Sequence, residues 1–524
     1  MTKSFDKWII TTTVISGCML QLISTSSVNV SINQMMGNLG ASLEDISWVV
    51  TAFTAANVLM ITLSGWMSAK FGQKNYFIAS ILVFTLASIF CGFSTNLNEL
   101  IFFRIIQGLG GGGLLSVAQS ILVTTFPKEE LGMANAIFGM GLIVGPSIGP
   151  TLGGYITDNL SWHWIFFLNV PVGIVAAFLS WLFLKQPEHK NQTGNMDWYA
   201  LALLTITIGA LQIVLSKGQS QDWFESSYIT ILVVSFILAG ILFVWRQLTV
   251  FHPILNLRLL KNTQFAVGTF FSLIQGIGLY ASVFIIPVFC QTLLGYTAQE
   301  TGWIMLPGSL AAGVMMPIVA VIMKKTKISP IALAGLGLVL FIFFIRQLSG
   351  MNLNTGASDF FWPLIIRGTG LGLLFIPLLT ITIFPLHSRD VPQGTAISNM
   401  IRQLGGSFGI ALATTFISIR SAFHYNRLSD NISIYNQTSF DRLNAYSGLF
   451  VSKGSDFVSA RLKALLAIKG TLYKQVMILT YNDVFIMVGF FFAICLPLLL
   501  LFRIKGKSKN IEKVEENVEG HLID

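Results

Sequence analysis

The stretch that decides the fold is GLIVGPSIGPTLGG, which occupies residues 141–154 of the 524-residue chain. Positions four apart lie on one face of a helix, and glycine recurs at that spacing at Gly141, Gly145, Gly149 and Gly153. Two prolines and a further glycine stand among them: Pro146, Pro150 and Gly154. Proline lacks an amide N–H and bends a helix. The pattern predicts a bent helix with a smooth face that packs closely on a neighbour and pivots, with close packing alone as the alternative.

The chain on both sides of this stretch is apolar over most of its length. Hydrophobic residues make up 53% of it and charged residues 10%, whereas about 25% of a soluble domain is charged. Runs of about twenty apolar residues recur, each long enough to cross roughly 30 Å of hydrocarbon. We predict fourteen membrane-spanning helices, at approximately 8–30, 46–68, 76–95, 100–125, 132–157, 164–184, 198–216, 227–247, 264–291, 301–323, 329–348, 360–386, 392–419 and 482–502.

Basic residues are concentrated in alternate loops between these spans. One set, which includes both ends of the chain, contains Lys3, Lys7, Lys70, Lys74, Lys128, Lys185, Lys190, Arg246, Arg258, Lys261, Lys324, Lys325, Lys327, Arg389, Arg503, Lys505, Lys507 and Lys509. The opposite short loops contain only Lys217 and Arg346. Because basic loops stay in the cytoplasm, we expect an inner (plasma) membrane protein with both termini cytoplasmic. The net charge of +9 then needs no nucleic-acid partner.

One segment on the outer side, residues 421–480, is much longer than the other connections and is expected to be a long loop. Its second half, 457–476, spaces apolar residues like a helix face. A helix packed on the outer mouth is the first interpretation, and a lid or a docking site for a partner is the alternative.

The motifs that would indicate an enzyme are missing from the sequence. Gly108-x-Gly110-x-x-Gly113 matches a dinucleotide fingerprint by letter, but no strand precedes it and no acidic residue follows at the required distance. Walker A, zinc and nucleophile-elbow signatures are absent, and the four cysteines have no metal-type spacing. We therefore expect neither catalysis nor a metal or cofactor. Glycines of this kind let membrane helices approach closely, and residues 106–110 resemble residues 366–370 as a faint internal repeat.

Several of these motifs together resemble the major facilitator superfamily, in particular its fourteen-span drug:proton antiporters. Residues 141–154 resemble the antiporter motif, and Leu100-x-x-x-Arg104-x-x-Gln107-Gly108 resembles the span-four motif. The loop motif between spans two and three matches at Gly65, Lys70, Gly72 and Lys74. Residues 162–173 and 402–409, the latter beginning at Arg402, resemble the span-six and span-thirteen signatures.

The resemblance implies an all-α membrane protein with two six-helix halves and two additional central helices. The halves would be residues 1–190 and 261–504, the linker helices 191–260, and the cytoplasmic tail 505–524. It also implies alternating access, with a small hydrophobic substrate leaving as protons enter. In a Gram-negative cell, a periplasmic adaptor and an outer-membrane channel would be partners.

The first span departs from the family pattern at the position that usually carries an aspartate. The family's Asn-Val pair is kept at Asn29, but Ser24 stands where the carboxylate would be, and serine does not titrate. The span has a polar stripe that predicts contact with a solute or with a neighbouring helix: Thr13, Gly17, Gln21, Ser24, Ser27 and Ser31.

The other charges within the predicted spans are basic. No carboxylate lies at the middle of a span, whereas Arg104, Arg367 and Arg402 do lie within spans. Such charges normally face a cavity or a partner, so we interpret them, with Gln21, Ser24 and Asn29, as candidate substrate or coupling residues. The alternative function is export of an organic anion, such as a carboxylate or siderophore, with atypical or no proton coupling. A third hypothesis is that the protein is a membrane sensor or scaffold that has lost transport.

Overall fold

The computed structural model describes residues 4–127, 130–185, 196–251, 253–326, 328–387, 390–433 and 435–505. These residues form helices joined by turns. The helices are α1 Ser4–Leu39, α2 Leu43–Ile46, α3 Trp48–Phe71, α4 Gln73–Phe93, α5 Leu97–Thr125, α6 Leu131–Asn159, α7 His163–Phe167, α8 Asn169–Phe183, α9 Trp198–Lys217, α10 Ser227–Thr249, α11 Thr263–Thr292, α12 Ala298–Lys325, α13 Pro330–Leu348, α14 Phe361–Ile383, α15 Val391–Ser429, α16 Gln437–Ser452 and α17 Phe457–Lys505. Lys3, Lys128, Lys190, Lys327, Arg389, Lys507, Lys509 and the tail after residue 505 lie outside the described residues.

Within the described residues, fourteen helical segments are long and apolar enough to cross a membrane. They confirm the predicted number of spans, with α7 and α8 forming one span together. An even number of spans brings the end of α17 back to the side on which α1 begins. We call this the terminal side of the bundle and the opposite one the far side.

The spans form two bundles and a separate helix pair. Helices α1 and α3–α8 pack together as the first half, and α11–α15 with α17 as the second. The pair α9–α10 packs against α3 and α15, where Ile208 of α9 shares an apolar cluster with Ile61 and Ile397. Most of α10 is exposed, as expected for a helix that faces lipid.

Helix ends follow local capping rules. The Asn96 side chain accepts a hydrogen bond from the Glu99 amide at 2.9 Å and begins α5. Thr297 and Glu300 form a capping box at the start of α12. Between α3 and α4 the backbone turns at Gly72 with φ of 85°, a conformation that glycine adopts without steric cost.

The segment expected as a long loop, 421–480, is largely helical. Helix α15 continues to Ser429, α16 follows, and α17 begins at Phe457 and runs unbroken into the last span. Near the start of the last span, the half-buried Asp483 carboxylate of α17 contacts Arg420 and His424 of α15 at 2.6 and 2.7 Å. We call residues 420–475 the far-side projection. Their apolar side chains at 457–466 are mostly exposed, so the predicted helix exists but does not lie flat on the bundle.

Candidate functional site

The glycine face of residues 141–154 packs on α1. A Cβ at Gly141 would lie 2.8 Å from Ile15, one at Gly145 3.0 Å from Leu22, and one at Gly153 2.8 Å from the Ser27 Cα. At Gly149 it would collide with the Ser26 hydroxyl, while Gly154 is also buried. Pro146 and Pro150 lie inside α6. The contact agrees with the close packing expected of this motif, and pivoting remains a proposal.

Helix α6 uses its other face to join the two halves. A Cβ at Gly313 of α12 would lie 3.1 Å from Met140, and one at Gly139 would lie 2.7 Å from the Met316 sulfur. Further along, Gly302 of α12 packs on Thr151. Helix α6 therefore lies between α1 of the first half and α12 of the second over much of its length.

We expect Gly149→Ala to lower the melting temperature of the purified protein, because its methyl group would overlap the Ser26 hydroxyl. Overpacking of this kind costs about 1–3 kcal/mol. Gly209→Ala is the matched control, since nothing lies within 4 Å of its Cβ position. The double variant Gly149→Ala with Ser26→Gly should recover part of the loss, because it removes both the Ser26 hydroxyl and the Ser26 Cβ, which would lie 2.7 Å from the new methyl group. A double variant that melts no higher than Gly149→Ala would show that the overlap is not the cause.

The polar stripe of α1 divides into two parts. Towards the far side it bonds to α6: Ser27 Oγ donates to the Gly149 carbonyl at 2.8 Å, and Ser31 lies 2.7 Å from the Thr157 hydroxyl. Nearer the middle, Gln21 Oε1 and Ser24 Oγ are buried and have no hydrogen-bond partner among the described residues. The stripe thus serves helix packing at one end and offers unpaired polar atoms in the middle, whereas Asn29 is exposed.

Other unpaired amides lie in neighbouring spans. Both polar atoms of the Asn57 side chain on α3 and Nε2 of Gln119 on α5 are buried without a partner among the described residues. Gln119 Oε1 accepts a hydrogen bond from Asn399 of α15 at 2.9 Å, which joins the two halves. Sequence reasoning missed these three residues. Amide side chains inside apolar spans are the signal that would have found them.

Arg104 is fully buried within the first half. Its Nε donates to the Val49 carbonyl at 3.2 Å and its Nη1 to Gln107 Oε1 at 2.6 Å. The guanidinium carbon lies 3.9 Å from the centroid of the Phe53 ring, a cation–π distance. Gln107 in turn donates to Ser88 at 2.6 Å. Arg104 therefore links α3, α4 and α5.

The faint internal repeat is matched in the packing of α5 and α14. Gly108 packs on the backbone of α3, and Gly368 packs on the backbone of α12 at Gly308. By the sequence match of residues 106–110 with 366–370, Arg367 takes the place of Gln107. The second half therefore places a cation where the first half has an amide that bonds to an arginine.

Arg367 lacks the partners that Arg104 has. It is 0% exposed, and all three guanidinium nitrogens have no hydrogen-bond partner among the described residues. A buried unpaired charge is costly, so the surroundings of this side chain favour any anion that reaches it.

Arg402 lies where the halves meet. It donates to Asn399, which bonds to Gln119 of the first half, and its guanidinium carbon is 5.2 Å from the Phe375 ring centroid. The structure thus places the three predicted arginines in three different environments: inside the first half, inside the second half and between them.

The motif of the loop between spans two and three makes its contacts on the terminal side. Lys74 donates to the Trp181 carbonyl near the end of α8 at 2.7 Å, and Lys70 lies 4.6 Å from the Trp66 ring centroid. A Cβ at Gly65 would lie 3.0 Å from the Pro392 carbonyl oxygen. Gly65 thus permits α3 of the first half and α15 of the second to meet on the terminal side.

Carboxylates lie at the edges of the bundle. Those whose burial the structure describes are all exposed or half-buried. Asp197 at the start of α9 contacts Arg246 of α10 at 2.6 Å. Burial acts to raise the pKa of Asp197, but the hydrogen bonds from Arg246 and the Ala200 amide outweigh it, and the pKa lies below its usual value. This pair ties α9 to α10.

Comparison with known proteins agrees with this architecture. The family model described as Major Facilitator Superfamily matches residues 14–410. Multidrug export protein EmrB of Escherichia coli K12 is 32% identical over 486 residues, which cover 91% of this chain and 92% of that protein. Fatty acid resistance protein FarB of Neisseria gonorrhoeae is 30% identical over 482 residues, which cover 92% of this chain and 93% of that protein. The solved structure of the proton:xylose symporter XylE is 11% identical with a TM-score of 0.57, over 93% of this chain and 95% of that one.

Fourteen spans in two packed halves with a central helix pair define a multi-pass membrane transporter rather than an enzyme. The chain belongs to the major facilitator superfamily. The family expected from the motifs is therefore confirmed, as is the fold class.

Proposed function

We propose that this transporter exports hydrophobic drugs or toxic compounds from the cytoplasm by alternating access, coupled to proton entry. Two relatives that are similar over almost the whole chain are named for multidrug export and fatty acid resistance. The first name refers to export of drugs and the second to resistance to fatty acids. We infer that the terminal side lies in the cytoplasm, because its loops are basic.

The observation that carries this proposal is the group of unpaired polar atoms inside the first half. Gln21, Ser24, Asn57 and Gln119 each bury at least one polar atom that has no partner among the described residues. Buried polar groups are normally hydrogen-bonded, and helices α1, α3 and α5 carry these atoms amid apolar side chains. A mostly apolar site with a few polar groups suits an amphipathic solute.

The helix contacts between the two halves support alternating access. On the terminal side the two halves meet at the α3–α15 contact at Gly65 and at the Gln119–Asn399 hydrogen bond of 2.9 Å. Breaking these contacts would open the cytoplasmic side, and α6 lies between the two halves as the surface along which they would rock.

The experiment for this proposal is transport by purified protein in proteoliposomes with an imposed pH gradient. One pH unit supplies about 1.4 kcal/mol per proton, enough for roughly tenfold accumulation of substrate if one proton is exchanged. We expect accumulation that collapses when an ionophore removes the gradient. Substrate flux without proton flux, for every compound tested, would contradict proton coupling.

A variant at Ser24 helps to interpret that experiment. Coupling does not use a carboxylate at this position, so Ser24→Asn should export with the same proton dependence as the native protein. Ser24→Asp adds the carboxylate at which the family pattern has one. If it creates proton-linked export that the native protein lacks, the native protein is an exporter with another energy source.

A second candidate function is export of an organic anion with atypical or no proton coupling. The observation in its favour is Arg367, a buried guanidinium with three unpaired nitrogens. A carboxylate matches a guanidinium in charge and geometry. In this reading the substrate itself supplies the negative charge that the spans lack.

We also propose that the far-side projection contacts a periplasmic adaptor, which with an outer-membrane channel would complete an export path across a Gram-negative envelope. The projection stands on the predicted periplasmic side. Its helix α17 leaves Phe457, Val458 and Leu462 exposed, which gives a partner an apolar surface to cover.

A further inference from the structure

A pocket with aromatic walls opens between the first turns of α12 and α14 on the far side. Its volume is about 670 Å³. The side chains that matter here are Tyr296, Glu300, Trp303, Pro307, Phe361 and Trp362. Four of these six residues are aromatic and one carries a carboxylate, so the pocket combines aromatic ring faces with negative charge.

The position of the pocket places it at the level of lipid head groups. Its walls come from the first turns of the spans Gln299–Lys325 and Ala357–Ile383. Trp303 and Trp362 are 59% and 66% exposed. Leu310 and Val314 are exposed on α12 at the spacing that continues the face of Trp303. A lipid-facing apolar stripe therefore leads away from the pocket towards the middle of the membrane.

The carboxylate of Glu300 is held in place by the helix cap. Its Oε2 accepts hydrogen bonds from the Thr297 amide at 2.8 Å and the Thr297 hydroxyl at 3.0 Å. Across the pocket, Asp359 lies on the turn that also carries the lining residues Ala357 and Ser358, and its carboxylate accepts from the Gly356 amide at 2.9 Å. Both negative charges are fixed near the pocket by backbone donors.

This combination differs from an ordinary aromatic belt. Exposed Trp and Tyr at a membrane interface need no carboxylate and no concave arrangement. Aromatic faces attract organic cations, and quaternary ammonium groups bind in aromatic cages. A carboxylate at the rim adds a charge-assisted contact and disfavours anions.

We propose that this pocket binds the ammonium head group of a cationic amphiphile, with the alkyl chain lying along the exposed stripe of α12. The ammonium lies against Trp303, Trp362 and Phe361 and faces the Glu300 carboxylate. The site is separate from the polar groups inside the first half and does not depend on the proposed export function, because it is accessible from the membrane surface.

The test is equilibrium binding of radiolabelled octyltrimethylammonium to the full-length protein in dodecyl maltoside. Glu300→Gln should weaken binding about tenfold, the change that corresponds to roughly 1.4 kcal/mol. Glutamine can still complete a capping box, so the helix start is kept. Trp303→Leu should also weaken binding severalfold. Trp164→Leu is the matched control, because Trp164 is 53% exposed at the same side of the other half and should leave binding unchanged.

Competitors then identify the chemistry and its source. Octyl sulfate, which has the same chain and the opposite charge, should not displace the ligand. If phosphatidylcholine displaces it and phosphatidylglycerol does not, the natural occupant is a lipid with an ammonium head group; if neither does, it is a free amphiphile. Equal affinity of Glu300→Gln and the native protein, or displacement by octyl sulfate, overturns the proposal. Binding is measured without transport, so this result is independent of whether the protein exports drugs.

Discussion

Replacing Arg104 with methionine is expected to lower the stability of the protein by about 3 kcal/mol, because hydrogen bonds to charged groups contribute about 1.5–3 kcal/mol each. The change removes the donors to the Val49 carbonyl and to Gln107 Oε1 and the cation–π contact with Phe53. Methionine fills similar space but leaves Gln107 Oε1 buried without this donor. Arg104 joins α3 to α5, so its loss should also destabilise the conformations that transport requires. If one of them is destabilised by roughly 1.4 kcal/mol or more, export should fall about tenfold or more.

The measurements are the thermal midpoint of the purified protein and export from cells, normalised to the amount in the membrane. Arg104→Lys tests whether the forked geometry of the guanidinium matters, because lysine keeps the charge but not the fork of donors. Its stability should lie between that of Arg104→Met and that of the native protein. Arg258→Met is a control on an exposed arginine of the terminal side. A thermal midpoint of Arg104→Met equal to that of the native protein would contradict the contacts assigned to this side chain.

Arg367→Met is expected to act in the opposite direction on stability. Its guanidinium has no partner among the described residues, so methionine removes a desolvation cost without orphaning an acceptor. Replacing buried charges by apolar groups of similar size stabilises some proteins by about 1–4 kcal/mol. We expect a thermal midpoint at or above the native value.

Transport should separate the two candidate functions at this residue. If the exported compound carries a carboxylate that pairs with Arg367, the variant should lose about tenfold or more of its export of amphipathic anions, since a charge-assisted bond exceeds roughly 1.4 kcal/mol. Export of cationic drugs should stay near the native rate. An equal loss for both charge classes would eliminate the anion reading, and a lower thermal midpoint would mean that Arg367 has a structural partner.

Hydropathy was sufficient to predict the number of spans, because every segment that crosses the hydrocarbon must be about twenty residues long and mostly apolar. The close packing of the glycine face at 141–154 could also be predicted, because glycines at helical spacing in a membrane helix usually allow a neighbouring helix to approach closely. The sequence did not reveal that α6 packs on α12 as well as on α1, because that surface consists of ordinary residues such as Met140 and Thr151.

Polar residues inside the spans were harder to interpret. Sequence alone grouped Arg104, Arg367 and Arg402 by charge, whereas their roles depend on neighbours that are distant in the chain, such as Val49 for Arg104 and Gln119 for the Arg402 contact. The sequence predicted a helix over residues 457–476 but did not show that this helix continues without a break into the last span. Within α17, Asp483 contacts Arg420 and His424 of α15, which are about sixty residues away in the chain.

The length of α15 has a mechanical consequence. The helix has 39 residues, so it is roughly 58 Å long at 1.5 Å per residue, nearly twice the hydrocarbon thickness of about 30 Å. After Pro392 in its first turn it contains no further proline. One end contacts α3 on the terminal side, and the other lies in the far-side projection. A force applied to the far-side projection therefore reaches the opposite face of the membrane through a single helix. If α15 tilts as a rigid body, a displacement of one end is accompanied by an opposite displacement of the other end.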